Sequence, residues 1–86
     1  MAISLLPIKR FRMGDPVMHR VKAITIKTVG YDSEYEELWV RFRNNKIFRY
    51  PGVPMKLFND LCVADHAGNY FRERVSKLYR CYRHYA

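Results

Sequence analysis

The sequence has few of the residues that mark several large classes of protein. Two cysteines, Cys62 and Cys81, are too few for the disulfide framework of a small secreted domain. No apolar run approaches the roughly 18 residues that a membrane-spanning helix requires. The apolar N-terminal stretch is short, is interrupted by Pro7 and is followed by Lys9 and Arg10, so it does not resemble a signal peptide. These absences predict a reduced, cytoplasmic protein that does not contact a membrane.

Acidic residues are also scarce. Eight Asp and Glu stand against 16 Lys and Arg, which gives a net charge of +8. The excess lies at both ends of the chain, with six basic residues and one acidic residue in 1–27 and five and one in 66–86. Such a charge distribution is typical of proteins that bind a polyanion, most often nucleic acid. The alternative is a basic protein whose charge serves only its solubility.

The remaining composition is that of one folded domain. Hydrophobic residues make up 49% of the 86 residues, enough for one small core. Residues 1–20 are the least patterned part, because Pro7, Gly14 and Pro16 interrupt them, and we predict a basic N-terminal extension there. Residues 21–86 are predicted to form a single domain.

The apolar patterns within that domain predict a small α+β fold. β-Branched residues over 21–29, the alternation over 38–43 and the segment 47–50 predict three antiparallel strands. Apolar spacing predicts one helix that begins at Pro54 and a second that Asp65 caps. The apolar face of this second helix is predicted to comprise Ala67, Tyr70, Phe71, Val75 and Leu78. The predicted architecture is a three-stranded antiparallel sheet with two short helices packed on one face and a basic extended tail.

The turn at Asn44-Asn45 leaves the register of the predicted hairpin open. A two-residue loop pairs Phe42 with Ile47 and turns Phe48 away from the core. A three-residue loop with a bulge pairs Phe42 with Phe48 and turns Phe48 toward the core. We favour the bulge because it makes the core face wholly apolar, and a one-residue slip exchanges the faces of every side chain.

Five short segments occur in an order and spacing that resemble a known family. They are Val29-Gly30-Tyr31-Asp32, Leu38-Trp39-Val40-Arg41-Phe42, Phe48-Arg49-Tyr50 with Gly52-Val53-Pro54, Gly68-Asn69-Tyr70-Phe71 and Tyr79-Arg80-Cys81-Tyr82-Arg83. Over residues 21–83 the sequence therefore resembles the KTSC domain, a short module named after the C-terminal region of some lysyl-tRNA synthetases. The resemblance implies a fold more than an activity, since RNA binding is only a suggestion attached to that family. It implies no metal site.

The sequence departs from the family pattern at a few positions. Phe48 takes the place of the first Tyr in a central Tyr-x-Tyr motif. Ala23 and Ile24 replace a pair of Ser in the first strand. His66 replaces a Ser near the second helix, and Arg72 replaces the Asn that comes after Tyr-Phe. Roles that depend on those hydroxyl or amide groups are therefore not carried over to this chain.

The strongest candidate for a functional surface is the face of the sheet with Trp39, Arg41 and Arg43, together with Arg49. A Trp ring stacks on unpaired bases at about 1–3 kcal/mol per base. Guanidinium groups bind phosphates in a fork geometry or stack on base planes. We therefore predict that this face binds nucleic acid, with RNA preferred. The alternative is that the second helix or the N-terminal extension covers Trp39.

The C-terminal tail alternates rings with cations. An extended segment of this kind puts its aromatic residues on one side and its arginines on the other. It is a strand whose tyrosines dock on the domain beside a solvated basic edge, or the wall of a nucleic-acid groove. The two alternatives are compatible, because docked tyrosines would aim the arginines outward. The tail residues are Tyr79, Arg80, Tyr82, Arg83 and Tyr85. The full set of predicted nucleic-acid-binding residues is Trp39, Arg41, Arg43, Arg49, Arg72, Lys77, Arg80, Tyr82 and Arg83.

Residue types for metal binding and catalysis form weaker patterns. The candidates for Zn²⁺ are Cys62, His66, Cys81 and His84, but Cys62 lies on the apolar stripe of the first helix, where a buried thiol is more common than a ligand. The carboxylates that cluster are Asp32, Glu34, Glu36 and Glu37. They lie in a turn, where acids are normally solvated, and no phosphate-binding loop or nucleophile elbow is present. We predict no catalytic activity, no cofactor and no metal.

A non-enzymatic protein-interaction or inhibitor protein is the alternative function. Compact basic chains of this length occur among the effectors of phages and other mobile elements. Their targets are often acidic surfaces of nucleic-acid enzymes or defence proteins. The same surface would serve, because Trp, Tyr and Arg dominate the energetic hot spots of protein interfaces. Residues 1–20 would then be a contact element, and the oligomeric state is left open.

Overall fold

A five-stranded antiparallel sheet with two helices on one face makes up the computed structural model, which describes residues 14–85. The strands lie side by side in sequence order. They are β1 (Met18–Arg20), β2 (Ile26–Asp32), β3 (Glu37–Phe42), β4 (Ile47–Pro51) and β5 (Tyr82–His84). The helices are α1 (Met55–Val63) and α2 (Ala67–Phe71), which continues as a π-helix over Arg72–Ser76. The predicted α+β class, the antiparallel sheet and the two helices are confirmed, but the sheet has five strands, not three.

The two additional strands are the short edges of the sheet. β1 lies within the predicted N-terminal extension and pairs Met18 with Gly30. β5 lies within the predicted tail and pairs Tyr82 with Arg49. β1 has only three residues, too few for a period-2 pattern to be recognised. β5 agrees with one of the two alternatives for the tail, a strand that docks a tyrosine on the domain. Both form because β2 and β4 offer them open backbone donors and acceptors. The rest of the predicted extension, residues 1–13, lies outside the described residues.

β2 begins five residues later than its β-branched composition predicts. β3 ends at Phe42, opposite Ile26, so the regular pairing of β2 with β3 does not extend to the preceding residues. They form an irregular segment in which the Ala23 N–H donates to the Val21 carbonyl at 3.1 Å. The Arg43 N–H donates to the carbonyl of the last residue before β2 at 2.9 Å and anchors this segment to the hairpin.

The β3–β4 hairpin has the predicted faces but not the predicted partners. Val40 pairs with Phe48, and the Phe42 N–H closes a three-residue loop by donating to the Lys46 carbonyl at 2.9 Å. The predicted pairing of Phe42 with Phe48 is therefore wrong by two residues. A shift of two leaves every side chain on its face, which is why the apolar core face is as predicted. Asn45 adopts φ 70°, the positive value that this turn requires.

The core lies between the sheet and the helices. The sheet and the residues after it contribute Ile26, Val29, Leu38, Val40, Tyr50 and Val53, and the helices contribute Leu61, Ala67, Phe71 and Val75. The Phe71 ring meets Phe42 and Tyr50 edge-on, with centroids 6.0 and 5.3 Å apart, and so holds α2 against the sheet. Within residues 14–85, the helices are too short and too polar to cross a membrane.

The helical layer differs in detail from the prediction. The Lys77 N–H donates to the Arg72 carbonyl, five residues back, at 3.3 Å. This π-helical turn inserts one residue and rotates the residues after it away from the core. Leu78, predicted to be apolar-facing, is therefore 69% exposed, whereas Val75 is fully buried. Asp65 does not cap α2, since no side chain caps that helix.

Gly30 provides a test of how β1 packs on the sheet. A Cβ at Gly30 would lie 2.6 Å from Met18 Sδ and 2.8 Å from the Val17 carbonyl oxygen. We expect Gly30→Ala to lower the free energy of unfolding by about 1–3 kcal/mol, because the backbone of β1 must move. Urea denaturation measures this change. The control is Gly68→Ala, whose Cβ meets Ala23 Cβ at an ordinary 3.6 Å and should not destabilise. Equal effects would mean that β1 does not pack as described.

Candidate functional site

The carboxylates of the β2–β3 turn and a group of basic side chains lie at opposite ends of the sheet along the strand direction. The β2–β3 turn, with Asp32, Glu34 and Glu36, lies at one end of the sheet. The β3–β4 hairpin and the segment before β2 lie at the other end, where Lys27 Nζ donates to Asn45 Oδ1 at 3.2 Å. Seven cations lie here, and we call them the basic end: Arg20, Lys22, Lys27, Arg41, Arg43, Lys46 and Arg72.

The opposite end carries the carboxylates of the β2–β3 turn, which act on the neighbouring Tyr31. Burial is the largest cause that raises the pKa of Tyr31, and the carboxylates of Glu36 and Asp32 raise it further. A polyanion would therefore be repelled by the β2–β3 turn and attracted to the basic end. The antiparallel order of β2, β3 and β4 produces this polarity, since successive turns fall at opposite ends.

On the sheet face that does not contact the helices, the side chains also change from basic at one end of the strands to acidic at the other. Cross-strand pairing arranges its residues in three rows. The row at the basic end is Arg20, Thr28, Arg41, Ile47 and His84. The middle row is Met18, Gly30, Trp39, Arg49 and Tyr82. The row at the acidic end is Asp32, Glu37 and Pro51.

Trp39 does not lie at the surface. Its side chain is 1% exposed, although it points away from the helices. The His84 ring lies 4.6 Å from the indole, and the Arg49 guanidinium carbon lies 4.8 Å from the indole centroid. The expectation that this ring stacks on bases does not fit that geometry. Within residues 14–85, the side chains that cover Trp39 come from β4 and β5, and not from the second helix.

Arg49 and Tyr82 are part of a buried polar cluster. Arg49 Nε and Nη2 donate to Glu37 Oε1 at 3.0 and 2.9 Å, and the Tyr82 hydroxyl donates to Oε2 at 2.7 Å. The guanidinium group lies between the Trp39 and Tyr82 rings. Glu37 is only 7% exposed, so its charge requires these partners. Two of the predicted nucleic-acid-binding residues thus join strands, and Tyr82 is also 43% exposed.

Three other predicted residues meet at the basic end. Arg41 is half-buried in the row that ends at His84. Arg43 Nε and Nη2 donate to the carbonyls of Ile24 and Ala23 at 3.2 and 3.4 Å, which fixes the guanidinium plane. Arg72 reaches this end from the helical layer.

The remaining predicted residues lie elsewhere. Lys77 Nζ pairs with Glu73 at 3.1 Å on the surface of the helices. Arg80 precedes β5, toward the acidic end of the sheet. The Arg83 guanidinium lies over the Tyr85 ring at 4.7 Å. Sequence reasoning missed the cations at the strand ends, Arg20, Lys22, Lys27 and Lys46. Only the strand order shows that they share one end.

Two adjoining cavities open at the basic end. The first, about 290 Å³, is the polar cavity, and its lining is Lys22, Ala23, Ile24, Thr25, His66, Gly68, Asn69 and Arg72. The second, about 480 Å³, is the aromatic cavity, and its lining is Ile24, Thr25, Phe42, Arg43, Asn44 and Phe48. Ile24 and Thr25 line both cavities. The Ile24 side chain is 91% exposed, an unusual state for an apolar residue between cations.

The four candidate zinc ligands do not meet. Cys62 is half-buried on α1, where burial raises the pKa of its thiol. Cys81 is exposed, His84 packs on Trp39, and His66 lines the polar cavity. Over residues 14–85, no three His, Cys, Asp or Glu side chains lie close enough together to hold a metal ion.

The fold and its charged surface define a small α+β module with one basic end. Residues 24–79 match the sequence pattern of the KTSC domain, and the chain belongs to this family, as its resemblance predicted. The crystal structure of a KTSC domain protein from Yersinia pestis has the same fold. The TM-score is 0.75 with 22% identity, over 83% of this chain and 100% of that one.

Two relatives are similar in sequence as well. An uncharacterized protein from Stutzerimonas stutzeri is 30% identical over 53 residues, which are 62% of this chain and 75% of that protein. A protein from Tsukamurella paurometabola is 30% identical over 63 residues, which are 73% of this chain and 94% of that protein.

Four of the departures from the family pattern meet in the polar cavity. Ala23, Ile24, His66 and Arg72 all line it. An imidazole and a guanidinium group take the place of a hydroxyl and an amide there. The cavity of this chain is therefore more basic than the family pattern implies. The sequence carried this signal, but the fold was needed to show that the four positions are neighbours.

The contact of β5 with the buried cluster can be tested at Tyr82. We expect Tyr82→Phe to lower the free energy of unfolding by about 1–2 kcal/mol, because the Glu37 carboxylate loses a hydrogen bond of 2.7 Å. Urea denaturation followed by the fluorescence of Trp39, the single Trp, measures the change. Tyr85→Phe is the matched control, since the Tyr85 side chain is 75% exposed, and its effect should stay within about 0.5 kcal/mol. Equal stability of the two variants would contradict the described docking of β5.

Proposed function

We propose that this protein is a small, non-enzymatic nucleic-acid-binding module that holds the phosphate backbone at its basic end, with RNA preferred. The separation of seven cations from the carboxylates of the β2–β3 turn is the observation that carries the proposal. Phosphate contacts of this kind supply most of the affinity of such modules and position the strand without reading its sequence. The contact surface is the basic end of the sheet, which includes the row with Arg20 and Arg41, and it does not include the buried Trp39 ring.

The cations of the basic end are available to phosphates. Within residues 14–85, Arg20, Arg41 and Lys46 form no ion pair with a carboxylate. Lys22 lies 3.6 Å from Asp65, with both side chains largely exposed. An exposed pair of this kind contributes little, so a phosphate can replace the carboxylate.

The preference for single strands is supported by a different ring from the one predicted. Tyr85 is exposed and comes directly after His84, the last residue of the row at the basic end. The Arg83 guanidinium lies over its ring. An exposed ring beside cations suits an unpaired base, because stacking needs a free aromatic face and tolerates any base.

A protein partner with an acidic surface is the second candidate. Ile24 favours it, because an exposed apolar side chain flanked by Arg43 and Arg72 resembles a hot spot at a protein interface. A pull-down from host lysate, repeated after nuclease treatment, separates the two candidates. A partner that survives the nuclease supports the protein interface.

Charge-neutral variants test the basic end. We expect Arg20→Gln, Arg41→Gln and Lys46→Gln, combined, to weaken binding of single-stranded RNA by at least about tenfold at low salt. The slope of log affinity against log salt should flatten by about 2, since each lost phosphate contact on a single strand removes about 0.7. Fluorescence anisotropy with labelled single-stranded RNA, tRNA and duplex DNA measures both quantities.

The control carries the same net charge. Lys56→Gln, Arg74→Gln and Lys77→Gln, combined, remove three cations from the helical layer, where Lys56 and Lys77 pair with carboxylates. This variant should bind nearly as the parent does. Equal losses in the two triple variants, or equal binding of all three probes that vanishes near 0.15 M salt, would reject a defined site.

A further inference from the structure

The polar cavity has the chemistry of an anion site. Lys22 and Arg72 supply cationic groups, and His66, Thr25 and Asn69 supply further hydrogen-bonding groups around the same space. Asn69 Oδ1 accepts a hydrogen bond from Arg72 Nη2 at 3.0 Å, which holds the guanidinium group at the rim. The phosphodiester group of a bound strand fits such a set, because its two terminal oxygens share a negative charge and can accept from several donors at once.

The carboxylates near this cavity compete weakly. Asp65 lies 3.6 Å from Lys22 Nζ, and Glu73 lies 3.7 Å from Arg72 Nε. Both distances exceed those of strong charge-assisted hydrogen bonds, and all four side chains are more than half exposed. A phosphate can therefore bind the cations without breaking a buried ion pair.

The aromatic cavity has the chemistry of a base site. The Phe42 and Phe48 rings meet at 74° with centroids 5.7 Å apart, and Ile24 adds an apolar wall. Arg43 is fixed by two backbone carbonyls, so its planar guanidinium group is held in place for stacking. Asn44 supplies an amide that can hydrogen-bond the edge of a base.

The two cavities adjoin at Ile24 and Thr25, as the phosphate and base of one nucleotide adjoin through a sugar. Their volumes, 290 and 480 Å³, suit parts of one ligand, since small-molecule sites span about 300–1,000 Å³. We propose that these cavities hold one nucleotide of the bound strand, with its phosphate beside Lys22, His66 and Arg72 and its base beside Phe42 and Phe48. This inference rests on the proposed function and adds to it a single defined nucleotide position.

Titration of the full chain with adenosine and uridine 5′-monophosphates, followed by amide NMR shifts, tests the proposal. Both nucleotides should shift residues 22–25, 42–44 and 66–72. Inorganic phosphate alone should shift only the polar cavity, and the nucleosides alone only the aromatic cavity. Each monophosphate should bind about tenfold more tightly than either part, since the two halves are linked.

Two variants and a control locate the binding. Arg72→Gln should weaken nucleotide affinity about tenfold, because a charge-assisted hydrogen bond is lost. Ile24→Asp should abolish the shifts in both cavities, and its exposure means that the fold tolerates the change. Arg74→Gln, on the same helical segment but with its guanidinium over the Tyr70 ring, should leave the affinity within about twofold.

The outcomes separate this inference from the proposed function. Oligonucleotide binding without nucleotide shifts at these cavities overturns the inference and leaves the basic end intact as a binding surface. Shifts spread over all cations, with equal effects of the Arg72 and Arg74 variants, also overturn it. Localised shifts that Arg72→Gln removes support the nucleotide site. If oligonucleotides then fail to bind, the proposed strand binding is rejected and the cavity is a site for free nucleotides.

Discussion

The Glu37 carboxylate joins three strands, and the arrangement of the molecule depends on it. Its two oxygens accept hydrogen bonds from Arg49 on β4 and Tyr82 on β5, while Glu37 itself lies on β3. A buried carboxylate without such partners is strongly unfavourable, so the edge strand and the central strands form one unit. The same cluster places Arg49 and His84 against Trp39 and closes that part of the sheet face.

Because this part of the sheet face is covered, the accessible charged groups lie at the ends of the strands. An antiparallel sheet in sequence order puts alternate turns at opposite ends, and in this chain the carboxylates fall in one turn and the cations around the next. The proposed function therefore depends on topology and charge together. The two cavities lie where the irregular segment before β2 separates the hairpin from α2. That segment is irregular because β3 ends at Phe42, so the regular strand pairing stops at Ile26.

The prediction succeeded where a local pattern was sufficient. Alternation over 38–43 assigned each side chain to its face, and helical spacing placed Phe71 and Val75 in the core. It failed where distant residues decide the outcome. β1 is too short to be recognised without the strand it pairs with, the pairing of β5 with β4 could be offered only as one alternative for the tail, and Leu78 left the core because of a π-helical turn. For the candidate site, Arg41, Arg43 and Arg72 were named in advance, but their neighbours at the basic end were not.

The sequence by itself determined the α+β class, the family, the two faces of the central strands and the excess of positive charge, because each depends on composition or on short-range periodicity. The tertiary structure alone decided which of those charges are accessible. Alternation shows that Trp39 and Arg49 point away from the core, but it does not show that His84, 35 residues after Arg49, lies against them. Burial on that face depends on contacts between distant segments. Only the folded chain shows that Lys22, His66 and Arg72 line one cavity.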